Sequence, residues 1–303
     1  MQTPILQTRP LLAAASMVAA MSVIGVIDNV IPLIAAEIGL WQFHATRASL
    51  AIPLVVAMSL LGFGALRPLR LWAVALRSAL VATSMLFYFT ALALMPIAQA
   101  LAGLFTSPIF ILLISALVLK DPVGPWRVLA VAIGFVGILL VLQPDPSRFD
   151  VVALIPVAGG FFYALGAVAT RSLCGGESTM SLLAGMWLTL GAMGLVGLFV
   201  LSLWPAAPEP GAAGFVTRAW VWPMWQSAPW VAVQAAGSVI GVFLIIKAYQ
   251  LGEPSYVSVF EYSVMIFGPL FAFLVFDQAV TQMQILGIFC IALAGGVIAL
   301  RSK

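Results

Sequence analysis

Three ionisable residues lie inside long apolar runs: Asp28, Lys247 and Glu261. A charge at mid-bilayer costs roughly 2.5–3.5 kcal/mol on insertion scales, so each needs a partner, a wet cavity or a ligand. Glu261 is the strongest candidate for a functional charge, because a glutamate stem is short and snorkels poorly. On a helix, Ser258 and Met265 share its face at i−3 and i+4, and Tyr262 is its neighbour. Asp28 stands beside Asn29 and four residues before Pro32. Proline cannot bond back to the carbonyl of Asp28, so a polar kink is expected there. The carboxylate either works at that kink or reaches water at the end of its helix. Lys247 lies about one turn from the end of its run, so snorkelling to the surface is the favoured reading. The rival pairs it with Glu261 or with a substrate carboxylate.

Two polar stripes accompany these charges. Gln99, Gly103 and Thr106 fall at i, i+4 and i+7, and so do Gln234, Ser238 and Gly241. Such stripes line a cavity or bond neighbouring helices. Tyr88 and Tyr163 are candidates for one wall. A buried tyrosine is also a common packing residue with one satisfied hydroxyl. Catalytic and metal chemistry have little to work with. The single histidine, His44, is expected in a loop, and no cluster of Cys, His and carboxylates has ligand spacing. Glycine-rich phosphate cradles are absent, and Cys174 and Cys290 are too far apart in type of element to suggest a disulfide. No cofactor is expected.

The elements that must position these residues are membrane spans. The chain is 63% hydrophobic and 8% charged, with a mean hydropathy of +1.17. Soluble domains carry about 25% charge. Net charge is +3, which in such a chain marks loop orientation rather than nucleic-acid binding. Ten apolar helices are expected: Leu11–Ile34, Ala48–Leu66, Ser78–Leu94, Ile97–Leu119, Trp126–Leu142, Val151–Thr170, Met180–Trp204, Trp230–Gln250, Ser255–Phe276 and Met283–Leu300. The third is short unless it begins nearer Arg70. The run from Leu11 exceeds the roughly 7–15 residues of a signal-peptide core, so it reads as a span and not as a cleaved leader. The longest connection, 205–229, is rich in proline and tryptophan and is expected to rest on the membrane–water interface rather than act as a lid.

The design repeats. Ile97–Leu119, Lys120-Asp121-Pro122 and Trp126–Leu142 form one tight hairpin, and Ser255–Phe276, Asp277-Gln278 and Met283–Leu300 form another. Setting Asp121 on Asp277 gives a shift of 156 residues and places Ser107 on Ser263. Gly134 and Gly137 then lie opposite the region of Gly295 and Gly296. The fold class expected is all-α integral membrane, with ten transmembrane helices as two inverted five-helix repeats, 1–142 and 143–303. Asp121 and Asp277 are expected to cap the helix that follows each, or to meet a nearby base.

The run SPIFILLISALVLKDPVGPWRVLAVAIGFVGILLVLQP resembles the signature of the drug/metabolite transporter superfamily, EamA type. Its pattern is a proline, an acidic residue 13 positions on, and a helix with spaced glycines; here these are Pro108, Asp121, Gly134 and Gly137. The family more often has Glu at the acidic position. Arg47, Arg77 and FEYSVMIFGPLFAFLVF extend the likeness over most of the chain. The family commonly shows Asp and then Lys in its first helix; Asp28 is followed by Ile31 and Pro32 instead.

The resemblance implies a secondary transporter of small organic metabolites, such as amino acids or related amphipathic nitrogen compounds. It also implies the alternative of a vitamin or nucleoside-like cofactor of the riboflavin or S-adenosylmethionine type. An intramembrane enzyme and an accessory membrane subunit are the readings from other classes. Expected partners are a small-molecule substrate and the lipid bilayer, not nucleic acid, with the chain a monomer or a homodimer. Loop charges suggest that both termini are cytoplasmic in the cell's inner (plasma) membrane. Arg9, Arg67, Arg70, Arg77, Lys120, Arg127, Arg171, Arg301 and Lys303 fall inside, against Arg47, Arg148 and Arg218 outside.

Overall fold

The computed structural model describes residues 9–95, 97–143, 151–207, 209–276 and 281–301. These residues form helices and connecting turns, with no strand among them. Ten helical spans are long and apolar enough to cross a membrane: α1 (Pro10–Glu37), α2 (Leu40–Phe63), α3 (Leu71–Ala91), α4 (Ala100–Leu117), α5 (Pro125–Leu142), α6 (Leu154–Ser172), α7 (Thr179–Leu203), α8 (Ala228–Leu251), α9 (Pro254–Val275) and α10 (Gln282–Arg301). The protein is an all-α integral membrane protein, with ten spans among the described residues. Successive spans run antiparallel. One end of the bundle holds the start of α1 and the finish of α10; it is called the first end below, and the opposite one the second end.

α2 differs from expectation in a way that matters for the site. It begins at Leu40, not Ala48, so His44 and Arg47 are helical and buried rather than loop residues. α3 begins at Leu71, which likewise buries Arg77. The apolar residues flanking these polar ones carry the helix on, and the charges turn into the bundle.

Three spans are broken at mid-chain. In α1 the α-helix stops at Ile27, and Asp28–Val30 form a 3-10 turn before helix resumes at Ile31. Pro32 has no N–H for the Asp28 carbonyl, so the Ile31 N–H takes it instead, and the turn tightens. In α4 the helix stops at Leu104 and restarts at Ser107, with Pro108 next. A Cβ on Gly160 of α6 would lie 2.7 Å from the Leu104 carbonyl, so only glycine lets α6 approach this break. α9 opens with a short helix, Pro254–Val257, and runs as a 3-10 helix over Ser258–Ser263. Glu261 therefore sits on a 3-10 turn, where Ser258 lies directly below it, and not on the α-helical face expected for Ser258, Glu261 and Met265.

The most extensive packing joins α1 to α8, α2 to α7, α3 to α6 and α5 to α10. The α5–α10 crossing is glycine-dependent, since a Cβ on Gly137 would meet Gly287 O at 2.8 Å. The glycine that Gly137 packs against is Gly287. Asp121 caps nothing: α5 starts at Pro125 behind Gly124 with no side-chain cap, because Gly124 and Pro125 themselves set the helix start. Asp277 lies outside the described residues.

The connection before α8 is tied down. Arg218 donates to Ala35 O at 2.9 Å and Ile38 O at 3.0 Å, and Gln42 and Val221 exchange two hydrogen bonds of 2.8 Å. Phe215 is buried against Ile34, Phe43 and Phe89, while Trp220, Trp222 and Trp225 stay exposed. The tryptophans face outward as an interfacial loop requires, and the rest of the segment is part of the core at that end.

Candidate functional site

A cavity of about 960 Å³ runs through the middle of the bundle. Ligand sites commonly span about 300–1,000 Å³. At the second end it reaches Pro32, Leu33, Met95, Leu142 and Gln284. Toward the first end it stops at Thr170, Tyr249 and Glu261. Below them a layer of polar contacts joins the turns. Arg127 forms an ion pair with Glu253 at 2.5 Å and donates to Ser255 Oγ at 2.8 Å. Arg171 donates to Gln250 O at 2.6 Å, and Gln250 donates to Glu177 O at 2.8 Å. Glu177 accepts the backbone N–H groups of Leu69 and Arg70.

Two polar poles face this cavity. The first is built around Gln234. Its Oε1 accepts from Arg47 Nη1 at 3.2 Å and from Ser238 Oγ at 2.6 Å. Its Nε2 donates to Asp28 Oδ1 at 3.1 Å and to Ile27 O at 3.3 Å. Every donor and acceptor of the amide is used, which fixes its orientation. The amide thereby bridges a buried cation and a carboxylate. The Arg47 guanidinium stands over the rings of Phe43, Phe89 and Trp187 at 4.6, 5.3 and 5.1 Å. These are cation–π distances. The 3-10 turn at Asp28 is what aims its carboxylate across at α8.

The second pole is built around Glu261. Its Oε1 accepts from Tyr163 at 2.9 Å and from Tyr249, and Ser107 completes the set. Arg77 lies on the same side of the cavity, with Nε donating to Thr170 Oγ1 at 3.0 Å. The partners of Glu261 come from α4, α6 and α8, so one carboxylate ties four spans together. Ser107 reaches it from the restart of α4, and Glu261 itself sits on the 3-10 stretch of α9. From Ser238 to Tyr249 is eleven residues of α8, or about 16 Å along the axis.

Of the residues singled out by sequence, Glu261, Asp28, Gln234, Ser238, Tyr88 and Tyr163 line the cavity. Ser258 and Tyr262 are buried but do not line it; Tyr262 fills the space left by Gly134 of α5. Thr106 donates to Gly103 O at 2.6 Å and serves the break in α4 rather than the cavity, because its hydroxyl caps its own chain. The side chain of Gln99 lies outside the described residues. Lys247 is exposed and does not line the cavity. Sequence reasoning missed Arg47, Arg77 and Trp187 as site residues. The available signal was spacing: Phe43, His44 and Arg47 recur at helical intervals behind Trp41, an interfacial residue type.

Fold and site together define a polytopic helical membrane protein with broken spans around a central, mostly apolar cavity that carries two polar poles. Residues 11–143 match the EamA-like transporter family. It is similar to the riboflavin transporter of Vibrio cholerae, at 30% identity over 60% of this chain and 55% of that protein. The match thus spans little more than half of that relative. It is also similar to the riboflavin transporter of Brucella anthropi, at 26% identity over 80% of each chain. A solved crystal structure shares the fold with a TM-score of 0.76, 18% identity, and coverage of 97% of this chain and 98% of that one.

Proposed function

We propose that this chain is a secondary transporter that carries a riboflavin-type substrate through the central cavity by alternating access. The observation that carries this reading is one cavity with two separated polar poles. The separation favours an elongated, amphipathic molecule. A flavin has a flat carbonyl-bearing ring at one end and a hydroxylated chain at the other, and so can address both. An α-amino acid carries its ammonium and carboxylate on one carbon, so those two groups address a single pole. The relatives named as riboflavin transporters support the same choice. An amino acid or related nitrogen compound is the second reading, favoured by the Glu261 carboxylate, which would attract an amine.

The halves 1–142 and 143–303 are read as inverted repeats. The breaks in α4 and α9 support this, since Phe105 and Glu261 are 156 residues apart, the shift taken from the two hairpins. So does the packing: a two-fold axis exchanging halves turns the α1–α8 pair into the α6–α3 pair. Broken spans at membrane depth are tolerated where they line a cavity, and they supply the hinges for rocking one half on the other. With Arg47 and Arg77 removed from the loops, the charge bias is eight inside against two outside, and both termini are read as cytoplasmic in the plasma membrane. The structure then has its cavity reaching the outer face.

The test is flux in proteoliposomes that contain only this protein. Labelled riboflavin is offered beside a panel of labelled amino acids. Saturable riboflavin flux is expected. Amino-acid flux without riboflavin flux would establish the second reading instead.

A further inference from the structure

Two buried donors in the cavity wall have no partner. They are Trp187 Nε1 and Arg47 Nε. Both residues border the cavity, at 0% and 4% exposure, and both donor atoms are covered in this state, so a ligand reaches them only when the side chains in front of them shift. A buried donor left unpaired costs about 1–3 kcal/mol, and natural proteins rarely leave one without a use. These two stand together, with the guanidinium carbon 5.1 Å from the Trp187 ring. Asp28 supplies a carboxylate on the same wall, held by Gln234. Phe89 adds a flat apolar face.

We infer that Arg47 and Trp187 form a ring-binding subsite, separate from the Glu261 pole, that takes the carbonyl-bearing edge of a planar heteroaromatic group. An imide edge carries two carbonyl acceptors on either side of one N–H. The wall offers two donors and one carboxylate acceptor, the complementary set. The aromatic residues around Arg47 hold the guanidinium in place, and two of them, Phe89 and Trp187, border the cavity beside the ring. Gln234 positions Arg47 and Asp28 and need not touch the ligand. Naming the ring as that of a flavin rests on the proposed function; the donor pair itself does not.

The probe is lumichrome, the tricyclic imide ring system without the ribityl chain. Its binding to the purified protein is read by fluorescence titration. Trp187→Phe keeps the aromatic body and deletes the N–H. Arg47→Lys keeps the charge and deletes Nε and the planar fork. Each is expected to weaken lumichrome about fivefold to tenfold, the worth of one hydrogen bond. Lys247→Gln, on the exposed side of α8, should leave binding unchanged. Should Arg47→Lys fail to fold, Trp187→Phe decides alone. Absence of lumichrome binding to the wild type overturns the subsite, as does wild-type affinity in Trp187→Phe. Lumichrome binding that depends on Trp187, without riboflavin flux, would sustain the subsite and sink the transport reading. Riboflavin flux with lumichrome binding indifferent to both substitutions would do the reverse.

Discussion

Gln234→Met isolates the role of the amide that joins the two charges of the first pole. Methionine is close in volume and unbranched, so packing changes little. Four hydrogen bonds vanish: those to Arg47, Ser238, Asp28 and Ile27 O. The Ser238 hydroxyl can turn to its own helix's i−4 carbonyl at small cost. Arg47 keeps the His44 Nδ1 contact at 3.4 Å, a weak one. Asp28 loses the donor that Gln234 supplies. Leaving a buried donor or acceptor unsatisfied costs about 1–3 kcal/mol. At about 2 °C per kcal/mol for a chain of this size, the melting temperature should fall by roughly 2–6 °C. The assay is the intrinsic-fluorescence melting curve of purified protein, run beside riboflavin flux, which should drop at least tenfold as Arg47 and Asp28 lose their fixed positions. A Gln234→Met protein melting within a degree of wild type, with unchanged flux, would refute the reasoning that this amide organises the pole.

Glu261→Gln keeps the shape, and its Oε1 can still accept from Tyr163 and Tyr249. Each bond weakens by about 1 kcal/mol as it loses charge assistance. The variant should fold and lose most flux; wild-type flux would reduce Glu261 to scaffolding. Lys247→Gln should change melting and flux within error, since the residue is exposed on α8. Reduced riboflavin affinity in that variant would revive the pairing of Lys247 with the substrate. Gly137→Val forces a Cβ to within 2.8 Å of Gly287 O and 2.9 Å of Ile291 Cγ1. It should cost at least about 1–3 kcal/mol and lower the yield of folded protein in the membrane, which size-exclusion profiles would show.

Much of the architecture is legible in the chain because bilayer spans declare themselves by composition. The ten runs, the tight turn after Leu119 and the kink before Pro32 all follow from apolar length and from proline's missing N–H. Glu261 and Asp28 are legible because an acid inside an apolar run needs a reason. Arg47 and Arg77 are not, because an arginine at the edge of such a run looks the same whether it faces headgroups or turns inward. Only the packed neighbours, Phe43, Phe89 and Trp187 around Arg47, decide. The 3-10 stretch of α9 is equally hidden. No proline or glycine interrupts Ser258–Ser263, and the tightening comes from tertiary packing around Glu261. Thr106 misled through periodicity: the stripe from Gln99 assumes a continuous helix, and α4 is broken just where Thr106 falls.

The central claim is that the cavity passes substrate by exposing it to one side at a time, and counterflow measures this most directly. Proteoliposomes with the purified protein are preloaded with unlabelled riboflavin and diluted into a trace of labelled riboflavin. An alternating-access carrier returns loaded from each trip, so label should accumulate transiently above its outside concentration and then decay. The Glu261→Gln variant should show no overshoot. Entry of label that only approaches equilibrium, with or without preloading, would mean a pore or a leak and would contradict the account.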